Sequence, residues 1–199
     1  MVKHLLIARH PETEANTQGL WVGRGNTPFT ALGLAQVDAI AREIEAFRAD
    51  LVVSSPLDRA RIPAERGAAL LGVAHAMDER LSELHFGAAE GLTFEQAEDH
   101  GILFDFKAVD APVAEGGESR REILTRTAAV LDEVLAGGQR VAIVTHGGVF
   151  RSALVYLLEL PIDAIWAFHI RNAAVAELTL DEWGTEHHWA RLEEFRVAR

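Results

Sequence analysis

Two histidines in this chain each follow a short apolar run. Residues 2–8 lead into Arg9-His10, and residues 141–144 lead into Thr145-His146-Gly147-Gly148. A third run, residues 51–53, leads into Ser54-Ser55-Pro56-Leu57-Asp58-Arg59. Continuous apolar runs of this length read as buried strands. In open α/β sheets the ligand crevice lies beyond the carboxyl ends of the strands. The spacing therefore predicts one sheet edge that gathers His10, His146, Arg9 and Arg59. Neutral imidazole is a nucleophile that needs no strong base. Guanidinium stays charged, and its fork matches anionic oxygens in pairs. One histidine after a strand is usually structural; the pair, with an arginine after a third strand, is what points to a functional role.

The elements that must position these groups follow from periodicity. Residues 10–28 are polar and glycine-rich and read as a long loop, a length that usually carries function. Thr30 caps a helix with Leu34, Val37, Ala41, Ile44 and Phe47 on one face. Helical residues run from after Pro56 to Leu71, with Pro63 predicting either a kink or a late start. A third strand falls within residues 73–77. Residues 81–117 are the least periodic, with a short helix possible over 93–100. Ser119 opens a strong helix that Gly137-Gly138 ends. Gly147-Gly148 opens another, running to Leu158. Residues 174–180 read as a last core strand, and residues 186–195 are ambiguous. The expected architecture is a three-layer α/β/α sandwich with a mostly parallel sheet. The whole chain, 1–199, reads as one domain, with a small insertion at roughly 85–117 over the active site.

Composition sets the outer limits. The chain has 199 residues, 49% hydrophobic and 25% charged, with a formal net charge of -11. Such an acidic surface repels nucleic acid and anionic membranes, so no nucleic-acid or membrane partner is expected. The only lysines are Lys3 and Lys107, and neither follows a glycine loop, which excludes a P-loop lysine. Cysteine is absent. That excludes thiolate nucleophiles, thiolate metal sites and disulfides. No run is long enough for a secretion signal or a membrane span, and the expected location is the cytoplasm.

Arg9-His10-Pro11-Glu12-Thr13-Glu14-Ala15-Asn16 resembles the Arg-His-Gly-x-Thr-x-x-Asn signature of the histidine phosphatase superfamily, which includes the cofactor-dependent phosphoglycerate mutases. The likeness continues in order through Gly23 to Thr30, Ser54 to Ala60, Leu81 to Gly91, Gly117-Glu118-Ser119 and Thr145 to Gly148. Each motif is weak alone, but six in the right order cover nearly the whole chain. The resemblance implies a phosphatase acting on a small phosphate monoester. His10 would be the nucleophile, giving a phosphohistidine. Glu83 would be the general acid and base. Arg9, Arg59 and His146 would carry positive charge to the phosphoryl oxygens. Asn16, Gly147 and Gly23 would bind phosphate through neutral donors. No cofactor and no metal are implied. The molecule is expected to be a monomer or a homodimer.

Some positions depart from the pattern. Pro11 replaces glycine and has no N–H to donate. Pro63 replaces a usual threonine and could tilt Arg59, and Ala89 replaces a frequent tryptophan. Leu84 and Phe86 stand where the mutases carry arginine and tyrosine, and Lys107 is the one cation between Glu83 and Gly117. These differences favour a phosphatase over a phosphoglycerate mutase. A non-catalytic module that binds a phosphorylated ligand is a further alternative. A serine hydrolase would need a Gly-x-Ser-x-Gly elbow, which the chain lacks. His187-His188 beside Trp183 and Trp189 reads as a solvated strand edge rather than a metal site.

Overall fold

A computed structural model of the chain describes residues 2–105, 107–181 and 189–198. Six strands form one sheet: β1 (Lys3–Arg9), β2 (Leu51–Ser54), β3 (His75–Met77), β4 (Arg140–Thr145), β5 (Ala174–Asp181) and β6 (Trp189–Val197). Their order is β3-β2-β4-β1-β5-β6. The first four run parallel, and β5 and β6 are antiparallel to their neighbours. The helices are α1 (Glu14–Thr17), α2 (Ala31–Phe47), α3 (Asp58–Leu71), α4 (Phe94–Asp99), α5 (Arg120–Gly137) and α6 (Gly147–Leu157).

Side chains alternate across a strand, and β1 divides its residues between two cores accordingly. Leu5 and Ile7 pack with Ile123, Val130, Phe150 and Leu154 from α5 and α6. Leu6 and Ala8 pack with Ile40, Ile44, Ala60 and Ala64 from α2 and α3. The central strands β1, β2 and β4 are thus covered on both faces, the three-layer architecture expected, and their buried middle residues are mainly apolar for that reason. Thr30 and Ser119 cap α2 and α5 through the amides of Gly33 and Glu122, as their positions predict. Pro63 lies inside α3, which starts at Asp58, past Pro56.

Three details refine the sequence reading. The loop after His10 contains the single turn α1, held by a capping box between Thr13 and Asn16. The third strand is shorter than residues 73–77, because Val73 and Ala74 precede its pairing with β2. Within the ambiguous C-terminal stretch, residues from Trp189 onward form the edge strand β6. Its burial pattern has no fully covered face, and Trp189, Phe195 and Val197 are exposed. A strand without a buried face leaves no period-two signal to read. Among the described residues no helix is long and apolar enough to cross a membrane.

Candidate active site

Strand register brings the site together. Ala8 lies opposite Val144 and Arg9 opposite Thr145 in the β1–β4 pair. The His10 amide donates to the Thr145 carbonyl at 2.8 Å, and the Ser55 amide to the Val144 carbonyl at 3.1 Å. Three strands therefore end level, and the residues after each meet in space. The His10 and His146 rings lie with centroids 5.2 Å apart. A cavity of about 200 Å³ opens there, lined by Arg9, His10, Asn16, Arg59, Glu83, Gly147 and Arg151 among others. His146 is fully buried beside His10 and is not part of the lining.

The hydrogen bonds fix both imidazoles. His10 Nδ1 lies 2.7 Å from the Pro11 carbonyl. A carbonyl only accepts, so Nδ1 carries the proton and Nε2 keeps its lone pair. His146 Nδ1 accepts from Arg59 Nε at 3.2 Å, which puts the His146 proton on Nε2. Among the described residues that buried Nε2 has no hydrogen-bond partner, nor has the buried Arg9 Nε. Burial holds both histidines well below the ordinary imidazole value of 6.5. The Arg9 and Arg59 charges add to this for His10, and Arg59 and His10 add to it for His146. Both rings are therefore neutral near pH 7, one as an acceptor and one as a donor.

This has a consequence for stability. Below pH 6.5 the unfolded chain binds protons on these two histidines while the folded chain does not, so stability must fall as pH falls. The expected slope is about 1.4 kcal/mol per pH unit for each ring, roughly double that for both. Urea unfolding between pH 7.5 and 5.5 measures it; a midpoint that stays constant below 6.5 would show that the rings are not held neutral.

The arginines are shared between fold and site. Arg59 is 2% exposed. It donates to His146 and to the carbonyls of Val22 at 3.2 Å, Gly23 at 2.8 Å and Gly25 at 2.5 Å. A guanidinium has five N–H groups, so one remains for a ligand. The carbonyl of Arg59 has no donor four residues on, because that position is Pro63, yet the side chain still reaches all four partners. Arg9 donates through Nη1 to the Ile170 carbonyl at 2.6 Å, and burial draws its pKa down to about 10, so it stays charged near neutrality.

Glu83 is 9% exposed and lies across the cavity. Its Oε1 accepts from the amides of Leu84 at 2.9 Å and Gly148 at 3.0 Å, and Oε2 lies 3.3 Å from the Gly148 nitrogen. The segment before it is tied to β4 by Thr145 Oγ1, which donates to the Leu81 carbonyl at 2.7 Å. Arg126 donates to the Glu83 carbonyl and pairs with the half-buried Glu118 at 2.6 Å.

The remaining expected residues divide. Asn16 Oδ1 accepts from Thr13 and from Asn172 Nδ2 at 3.0 Å, leaving its amide nitrogen as the end available to a ligand. Gly147 lines the cavity as the first residue of α6. Gly23 does not line it: its amide donates to Glu90 at 2.8 Å and its carbonyl accepts from Arg59. A phosphate-binding role for Gly23 is therefore corrected to a supporting one, since its only N–H is already committed. A side chain there would strike the Leu84 carbonyl at 2.3 Å.

Sequence reasoning missed three contributors. Arg151 lines the cavity one helical turn after Gly147 and donates to the Phe168 carbonyl. Asn172 donates to the His10 and Pro11 carbonyls as well as to Asn16. Gly148 holds Glu83. Only Gly148 lay within a motif; the other two are single residues whose position depends on the assembled fold. Among the described residues no three His, Asp or Glu side chains are placed to hold a metal ion. His187 and His188 lie outside the described residues.

A sheet of this order, with a neutral buried histidine at the end of its first strand and arginines around it, defines a class that the comparisons identify. The family profile described as histidine phosphatase superfamily (branch 1) matches residues 5–191. The chain belongs to that superfamily. It is 29% identical over 211 residues to glucosyl-3-phosphoglycerate phosphatase of Mycobacterium tuberculosis, covering 99% of this chain and 91% of that one. It is 29% identical over 184 residues to adenosylcobalamin/alpha-ribazole phosphatase of Salmonella typhimurium, covering 89% and 91%. The solved structure of the mycobacterial glucosyl-3-phosphoglycerate phosphatase with VO3 superposes with a TM-score of 0.86 at 28% identity, over 98% of this chain and all of that one.

Proposed function

We propose that this protein is a phosphatase that hydrolyses a small phosphate monoester through a covalent phosphohistidine on His10. The observation that carries this is the fixed tautomer of His10, whose Nδ1 is committed to Pro11 while Nε2 keeps its lone pair beside a cation-lined cavity. His10 Nε2 attacks phosphorus, and the phosphorus–oxygen ester bond breaks. Glu83 gives its proton to the departing alkoxide. Water then attacks the phosphohistidine, Glu83 takes its proton, and the phosphorus–nitrogen bond breaks to return neutral His10. Oε1 already accepts two amides, which leaves Oε2 as the oxygen that faces this proton exchange.

Phosphoryl transfer passes through a loose transition state with charge on the equatorial oxygens. Arg9, Arg151 and the free N–H of Arg59 supply fixed positive charge, and His146, behind the lining, accepts from Arg59 Nε and so holds that arginine in place. The relatives named above as phosphatases support the same reaction class. Two measurements test the reading together. A denaturing quench in alkali during turnover should trap a phosphate on His10 that is stable to base and lost in acid, and a chelator should leave the rate unchanged. Label on a serine or an aspartate, or loss of activity to the chelator, would overturn it.

The Glu83 role makes a separate prediction at Gly148. A Cβ there would sit 2.4 Å from Glu83 Oε1 and 3.0 Å from Ile123 Cδ1. The carboxylate is the far end of a flexible side chain, so the fold accommodates it by moving Glu83. Gly148→Ala should lower stability by about 1–3 kcal/mol, because moving the buried Glu83 breaks its bonds to the Leu84 and Gly148 amides. Displacing the acid should lower kcat by about 10²-fold. A variant that is both as stable and as active as the parent would remove Glu83 from the mechanism.

A further inference from the structure

Resting on the phosphatase reading, we infer that the natural substrate carries a bulky apolar group on its phosphate, held in a second cavity beside the first. This cavity has a volume of about 350 Å³, within the range of small-molecule sites. Trp21, Glu83, Phe86 and Arg151 line both cavities, so the two meet where the ester oxygen must lie. Glu83, the proposed donor to that oxygen, stands at the junction. A group leaving from phosphorus would therefore extend into the second cavity.

The lining beyond the junction is mainly apolar and comes largely from the irregular segment after Glu83, with Ile123 and Ile165 from the body of the fold. Trp21 packs against Phe86 and Phe104, with ring centroids 5.1 and 4.0 Å away. Polar groups on the far side already serve the fold. Arg120 donates to the Ala108 carbonyl and lies 5.6 Å over the Trp166 ring, and Asp105 accepts from the Lys107 amide. A polyhydroxylated leaving group would lose water there without gaining matched partners. A hydrocarbon or aromatic group loses nothing and gains buried area.

The test is kcat/KM for straight-chain ethyl, butyl and hexyl phosphates, whose leaving groups have matched basicity, alongside glycerol 3-phosphate and phosphoserine. Specificity should rise roughly two- to fourfold per methylene, with hexyl phosphate well above both polar esters. Ala111→Asp places a charge on the exposed wall of the second cavity, and the hexyl-to-ethyl ratio should drop at least tenfold. A general folding defect would lower both substrates and leave that ratio unmoved. Turnover that is flat with chain length, or highest for a polar ester, overturns the inference and leaves the phosphatase reading intact. No turnover of any monoester overturns both.

Discussion

Replacing His10 by glutamine should remove turnover while leaving the fold in place, lowering kcat/KM by on the order of 10⁴-fold or more. The ring is 3% exposed and neutral, so glutamine loses no buried charge and can still donate to the Pro11 carbonyl. What it lacks is the nitrogen lone pair that would bond to phosphorus. The arginines and Glu83 remain, so binding of inorganic phosphate should persist within about tenfold, unlike the rate. The variant should also lose about half of the acid-dependent instability expected for the pair of buried rings. Steady-state rates, phosphate binding and urea unfolding at two pH values give all three numbers. Retained turnover would assign the nucleophile elsewhere, and phosphate binding without turnover in either parent or variant would favour a ligand-binding module.

Arg59→Ala should damage stability and rate together, for separable reasons. Removing the guanidinium strips the Val22, Gly23 and Gly25 carbonyls and His146 Nδ1 of their donors. Buried acceptors left without partners cost about 1–3 kcal/mol each, and water reaching the loop recovers part of that. The expected loss is about 2–4 kcal/mol of folding stability. The rate should fall by about 10²–10³-fold, the size of losing one fixed charge at a developing oxyanion. Arg59→Lys should restore little of either. An ammonium offers a point charge and cannot span His146 and three loop carbonyls at once. Equal stability of parent and alanine variant would mean that the 22–25 loop is held by other contacts.

The parts of the site legible in the sequence are those fixed by strand ends. The apolar runs before His10, His146 and Arg59 are buried on both faces, so they show as unbroken hydrophobic stretches, and their parallel pairing forces their ends to coincide. Capping residues Thr30 and Ser119 were legible because a cap is a local device. Arg151 was not legible: on α6 it is one polar residue in an apolar helix, and only the approach of Glu83 gives it meaning. Asn172 was hidden for the same reason, lying more than 150 residues from the Asn16 it contacts. Gly23 misled because its motif marks a close approach, which turned out to be to Leu84 and Glu90 rather than to a ligand. The edge strand β6 lacks a covered face and so lacks a pattern.

Pro11, the residue that departs from the superfamily signature, supplies the carbonyl on which the His10 ring is seated. Many imidazoles are steadied by a carboxylate, which lets go once acid neutralises it. An amide oxygen takes up no proton under conditions a protein survives, and proline's ring fixes the N–Cα torsion of the residue that carries it. Acidifying the solution therefore leaves the aim of the reactive nitrogen untouched until the imidazole itself gives way.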